Sequence, residues 1–292
     1  MKTYSKGRMK FKRALFFILI LLLLMFSSGV ILLTCFCFKN SIDIVKEDSS
    51  ATAVSDDVAL NSQPIIVDNL VVGALYNNRW VSASKYYMKS NKKSDVEIAV
   101  YTKNKNAGTY KVEDIYSVEN SIFANTSYIN FIDEYFATPN KDADALISNF
   151  AEISISEIDY IYAKEALGFL RLYNGSISVN KVYSGNIDNN TPIKIITITS
   201  ESKGKFGGIY NGIIVAYPEK NKVELVEYSY TKDLDNTDDY PLYSVEFLAD
   251  INGDSKSDLI TRSVTEFNVS YNIFEYNKGK FVKVLSETMT IK

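Results

Sequence analysis

Histidine is absent from this sequence, and cysteine occurs only twice. Without histidine there is no Ser-His-Asp or Cys-His activation of a nucleophile, and no imidazole ligand for zinc or iron. Cys35 and Cys37 stand two residues apart at the end of an apolar run, so they cannot staple distant parts of the chain. They read as small apolar side chains. Tryptophan occurs once. That residue, Trp80, follows the turn Asn77-Asn78-Arg79 and reads as an anchor for a small β core rather than a ligand-stacking surface.

Positive charge is scarce beyond the first thirteen residues. The chain holds 32 Lys+Arg against 35 Asp+Glu, and Lys2, Lys6, Arg8, Lys10, Lys12 and Arg13 all precede Ala14 with no acid among them. From Ala14 onward 26 basic residues face 35 acidic ones, a balance of −9. Nucleic acid is excluded as a partner on this ground, because phosphates demand clustered Lys and Arg. An acidic body suits the holding of cations. The abundance of Lys, Asn, Ile and Tyr resembles proteins of AT-rich bacterial genomes, so the Asn-x-Ser/Thr triplets at Asn125, Asn174, Asn189 and Asn268 read as chance matches rather than glycan sites.

What the sequence does contain begins with a charge-free stretch, residues 14–38, ALFFILILLLLMFSSGVILLTCFCF. Its roughly 25 residues, at about 1.5 Å rise, give about 37 Å, enough to cross a hydrocarbon core of about 30 Å. A single transmembrane helix is expected there, with residues 1–13 as a basic cytoplasmic tail by the positive-inside rule. Cleavage near Ser27-Ser28-Gly29 and lipidation at a degenerate lipobox ending in Cys35 are the alternatives. Residues 39–63 are polar and rich in Ser and Asp. They read as a flexible stalk that holds the rest outside the cell.

Beyond the stalk the expected class is mostly β with a helical insert, an α+β arrangement. A small β-domain is expected over 64–135, from PIIVDNLVVGALY, RWVSASKYY and DVEIAVYT. A helical segment is expected over 136–175, where Ile155, Ile158, Ile161 or Tyr162, Ala166, Phe169 and Leu170 recur at helical spacing as a packing face. An antiparallel β-region is expected over 176–292. Two stretches within it, 211–229 and 270–287, echo one another as hairpins closed at Pro218–Asn221 and Asn277–Gly279.

One motif carries chemistry. Asp250-Ile-Asn252-Gly253-Asp254-Ser-Lys256-Ser-Asp258 sets oxygen side chains at positions 1, 3, 5 and 9. In a tight loop Asp250, Asn252 and Asp254 converge, the Lys256 carbonyl turns in, and Asp258 closes an all-oxygen shell of the kind calcium requires. Gly253 permits the sharp turn. A plain Asp/Asn turn between strands uses the same residue types. An EF-hand is excluded, since Ser255 and Thr261 stand where it needs Gly and Glu.

The loop resembles the calcium loop of FG-GAP and VCBS-type repeats, with Asp250, Asn252, Gly253, Asp254, Asp258 and Leu259 matching and Ser255 in place of the second glycine. The anchor, stalk and C-terminal β-region together resemble membrane-anchored, clostridial-type surface proteins, while the FG-GAP likeness of the loop implies antiparallel units like propeller blades, in one good copy rather than a full propeller. Two further segments, Asp233 to Asp239 and Lys203 to Gly208, read as a solvated acidic loop and a hairpin connection.

The expected function is a membrane-anchored extracytoplasmic binding or structural protein, not an enzyme. Its β-domain is expected to be stabilised by structural calcium, and a cell-surface protein or polysaccharide to be its partner. The alternative is a cell-wall hydrolase using paired carboxylates, for which Glu201, Glu246 and Glu266 are the candidates. A sensory or assembly partner within a membrane complex is a third reading.

Overall fold

The computed structural model describes residues 62–89, 96–103, 105–126, 134–143, 149–169, 175–202, 208–232 and 240–291. Residues 54–292 form one compact unit. Its first strands are β1 (Gln63–Val67), β2 (Leu70–Tyr76), β3 (Arg79–Ser82), β4 (Val96–Thr102), β5 (Lys105–Val118), β6 (Ser121–Thr126) and β7 (Tyr135–Thr138). They pair in the order β1-β7-β4-β5-β6-β2-β3, and β1 also pairs with β2. Six of these strands therefore close on themselves as a barrel, with β3 paired to β2 alone as the remaining edge.

Tight turns drive this closure. Asp68-Asn69, Asn77-Asn78 and Glu119-Asn120 all have positive φ and connect β1 to β2, β2 to β3 and β5 to β6. Two consecutive left-handed residues match the twist of antiparallel strands. Several barrel strands are buried on both faces. In β1, Ile66 points to the barrel interior while Ile65 and Val67 point outward; in β4, Ile98 and Val100 point in while Ala99 and Tyr101 point out. Runs of continuous apolar residues follow from this double burial, where a one-sided strand would alternate.

The stretch RWVSASKYY splits, because β3 ends at Ser82 and a short helix α1 (Ala83–Lys89) follows. Ser82 Oγ accepts the Lys85 amide at 3.4 Å, and Ala83 and Tyr86 are buried with the barrel core.

Two meanders complete the unit. One comprises β8 (Ala151–Ile153), β9 (Gly175–Asn186), β10 (Pro192–Ser202), β11 (Gly208–Tyr217) and β12 (Lys222–Thr231). The other comprises β13 (Leu242–Ala249), β14 (Asp258–Val264), β15 (Asn268–Asn277) and β16 (Lys280–Thr290). The four-stranded sheet lies between layers: Phe247, Ile260, Tyr271, Ile273 and Leu285 pack on the outer face of the barrel, while Val245, Leu248, Leu259, Phe274 and Phe281 pack on the five-stranded sheet. The approach to the barrel is close at Gly73, where an added Cβ would lie 2.4 Å from Leu285. The far face of the five-stranded sheet is covered by α2 (Glu157–Phe169).

The expected fold class is corrected by these observations. Among the described residues no helix is long and apolar enough to cross a membrane. With thirteen residues, α2 spans only about 20 Å of the about 30 Å needed. The segment 14–38 expected as a transmembrane helix and the stalk through residue 61 lie outside the described residues. Nor do the C-terminal strands form a series of propeller blades. They make two stacked meanders, one capped by the barrel and the other by a helix, because each apolar face finds a different cover.

The face of α2 also differs from expectation. Tyr162, Ala163, Ala166 and Leu167 are buried, whereas Ile155, Ile158 and Ile161 are exposed, Ile161 by 56%. Asp159 sets this rotation. Its carboxylate accepts the amide and hydroxyl of Ser156 at 2.8 and 2.6 Å and the Lys194 ammonium at 2.7 Å. Burial pushes its pKa up, but the bonds from Lys194 and Ser156 outweigh burial and hold it below the usual range. The acid therefore turns inward at the helix start, and the isoleucines beside it turn out.

Candidate functional site

The Asp250–Asp258 loop joins β13 to β14, a strand-loop-strand setting. Backbone amides shape it. Asp250 Oδ1 accepts from Gly253 and Asp254 at 2.7 and 3.0 Å, and its Oδ2 accepts from Ser255 at 2.8 Å. Asn252 Oδ1 accepts from Asp254 at 2.9 Å, and Asp254 Oδ1 from Lys256 at 3.0 Å. Gly253 and Ser255 adopt φ of +80° and +66°, so the position where the resembling loops carry a second glycine is left-handed here too.

The surroundings hold this loop in place from two other layers. Thr138 Oγ1, at the end of β7, donates to the Ile251 carbonyl at 2.8 Å, and Asn140 Nδ2 donates to the Asp250 carbonyl at 2.6 Å. Ser257 donates through its amide to the Ile187 carbonyl and through its hydroxyl to the Asn186 carbonyl, both at 2.6 Å. The loop is thus a joint between the barrel, the middle sheet and the five-stranded sheet.

The expected ligands occupy different depths. Asp250 and Asn252 are buried, Asp254 is half-buried with Lys256 Nζ 3.5 Å from its Oδ2, and Lys256 is exposed. Asp258, at 0% exposure, lies deepest. Its Oδ2 accepts the Ile251 amide at 3.1 Å, while its Oδ1 has no hydrogen-bond partner among the described residues. Burial pushes the Asp258 carboxyl far up, the Ile251 amide opposes this, and the charges of Asp254, Asp250 and Glu275 add to the rise. Burial also raises Asp250, more than its amide donors lower it. A cation among these carboxylates would relieve both desolvation and mutual repulsion.

As they stand, no three His, Cys, Asp or Glu side chains among the described residues are gathered into a metal-holding group. Enclosing an ion therefore requires the loop carboxylates to draw closer together than they stand. The donor chemistry fits a hard cation, since every candidate ligand is oxygen and one buried carboxylate oxygen is free.

The carboxylates weighed for a hydrolase lie on three elements. Glu201 is exposed on β10, Glu266 is exposed between β14 and β15, and Glu246 is buried in the bulge of β13, bonded to Ser244 and 3.5 Å from Lys103. Segments 203–207 and 233–239 lie outside the described residues.

Thr138, Asn140 and Ser257 escaped sequence reasoning because nothing local marks a residue that meets its partner across layers. Glu275 was legible in principle, since pairing the strands on either side of the turn at residues 265–267 brings it beside Asp258. No family model matches the chain, and no curated protein matches it.

Proposed function

We propose that this chain is a binding or structural protein whose β-rich body is clasped by calcium. The ion is held in the Asp250–Asp258 loop by Asp250, Asn252, Asp254, the Lys256 carbonyl and Asp258. The observation that carries this reading is the Asp258 carboxylate, fully buried with Oδ1 lacking any donor among the described residues. A buried carboxylate in this state calls for a proton or a cation. The acidic balance of the chain and the loop's resemblance to FG-GAP-type calcium loops favour the cation. The absence of histidine supports a non-catalytic role. Calcium acts here by joining three layers, and the body so fixed engages a cell-surface protein or polysaccharide. The working place is extracytoplasmic, a placement motivated by the charge asymmetry at the N-terminus and checked by protease accessibility of the body on intact cells.

Isothermal titration of the full chain with calcium tests the metal claim. Saturable heat and a higher melting temperature are expected, with about 2.7 kcal/mol of stabilisation at one hundred times Kd. Asp258→Asn is expected to abolish both. No heat and no melting shift at millimolar calcium overturns the reading.

A further inference from the structure

The cation site extends beyond its loop. Strands β14 and β15 pair antiparallel with Leu259 opposite Phe274, and one further step of the same register sets Asp258 opposite Glu275. Directly opposed residues of this kind hold their Cβ atoms about 4.5–5.5 Å apart, and like charges so placed repel. Both side chains point to the barrel, because Leu259 and Phe274 beside them face the five-stranded sheet. Glu275 is itself held from the barrel: Trp80 Nε1, on β3, donates to its Oε2 at 3.1 Å. Only one of its carboxylate oxygens is engaged by that bond.

The register thus brings two carboxylates to neighbouring places on the barrel-facing side of the middle sheet. One is fully buried with a free oxygen; the other is oriented by an indole from a different layer. Repulsion between them without compensation opposes the pairing of β14 with β15. We infer that Glu275 is a further carboxylate of the cation site, facing the ion together with Asp258, and that Trp80 is its positioning residue. This rests on the calcium reading of the loop and adds to it a ligand that lies seventeen residues past Asp258. It also makes Trp80 a reporter, since the indole that orients Glu275 is the only tryptophan in the chain.

The full chain, its Glu275→Gln, Trp80→Phe and Glu219→Gln variants, and calcium chloride suffice as the test. In the unaltered protein, tryptophan emission should change with calcium at the midpoint seen in titration heat. Glu275→Gln keeps an acceptor for the indole and should fold, which its calcium-free melting curve checks, yet bind calcium at least tenfold more weakly. Trp80→Phe should weaken binding less, because the carboxylate remains but loses its hold. Glu219→Gln, exposed in the turn after β11, should bind as the unaltered chain does. If the unaltered chain binds calcium and Glu275→Gln binds it equally well, the inference fails while the loop reading stands. If the unaltered chain binds none, both fail.

Discussion

Thr138 Oγ1 lies 2.8 Å from the carbonyl oxygen of Ile251, a fully buried bond between residues 113 positions apart. It is one of two donors by which the end of the barrel holds the Asp250–Asp258 loop. Thr138→Val keeps the shape and removes the donor, leaving that carbonyl buried and unpaired. A loss of about 1–3 kcal/mol in urea unfolding is expected. An unchanged midpoint would show that the barrel does not hold the loop.

Ser255 stands in the left-handed region, at φ +66°. A side chain there is strained by roughly 1–2 kcal/mol, which glycine avoids at the expense of a more flexible unfolded chain. Ser255→Gly should raise the melting temperature modestly, the balance being about 0.5 kcal/mol or more. Ser255→Val, branched at Cβ, should lower it.

Glu227 on β12 binds three groups of the middle sheet: Thr261 Oγ1 at 2.6 Å, Asn272 Nδ2 at 2.9 Å and Lys283 Nζ at 3.2 Å. Removing the carboxylate leaves the buried Thr261 hydroxyl and Asn272 amide without their acceptor, while the exposed Lys283 ammonium turns to water. Glu227→Ala should destabilise by about 1–3 kcal/mol, as read by urea unfolding, the cost of orphaned buried donors rather than of a buried ion pair. Thr261→Val in the same background should restore part of the loss, because one orphan donor disappears.

Glu287 on β16 gives the stability a pH dependence. Burial alone pushes its carboxyl up to about 7, against an ordinary value near 4.3–4.5. Between about pH 4.5 and 7 the folded state holds more protons than the unfolded one, so stability falls as pH rises through that window. Glu287→Gln lacks this fall. The side chain is only half-buried, so the gap at pH 8 should be on the order of 1 kcal/mol in favour of Gln. Little gap should remain at pH 4, and parallel stability profiles of the two proteins would refute the assignment.

The turns and the strand-rich character were legible in the sequence because their causes are local. Asn77-Asn78 favours the left-handed conformation wherever it occurs, and Lys278-Gly279 closes the β15–β16 hairpin for the same reason. The Asp250–Asp258 loop stood out because its side chains fold back on their own backbone. The face of α2 was misread because Ile158 and Ile161 keep helical spacing as well as Tyr162 and Ala166 do. Spacing names a stripe without saying which stripe is covered.

By itself, then, the sequence determined which residues turn, which alternate, and where nine residues could gather oxygen around one point. Only the tertiary structure decided that the first sheet closes into a barrel and that the strands from Ala151 onward divide into two further sheets. It also decided that Thr138, Asn140, Asn186, Ile187 and Glu275 surround the loop. The physical reason is that turns and caps are settled within a few residues. Which apolar face meets which, and which carboxylate is left buried without a donor, is settled by the burial of the whole chain.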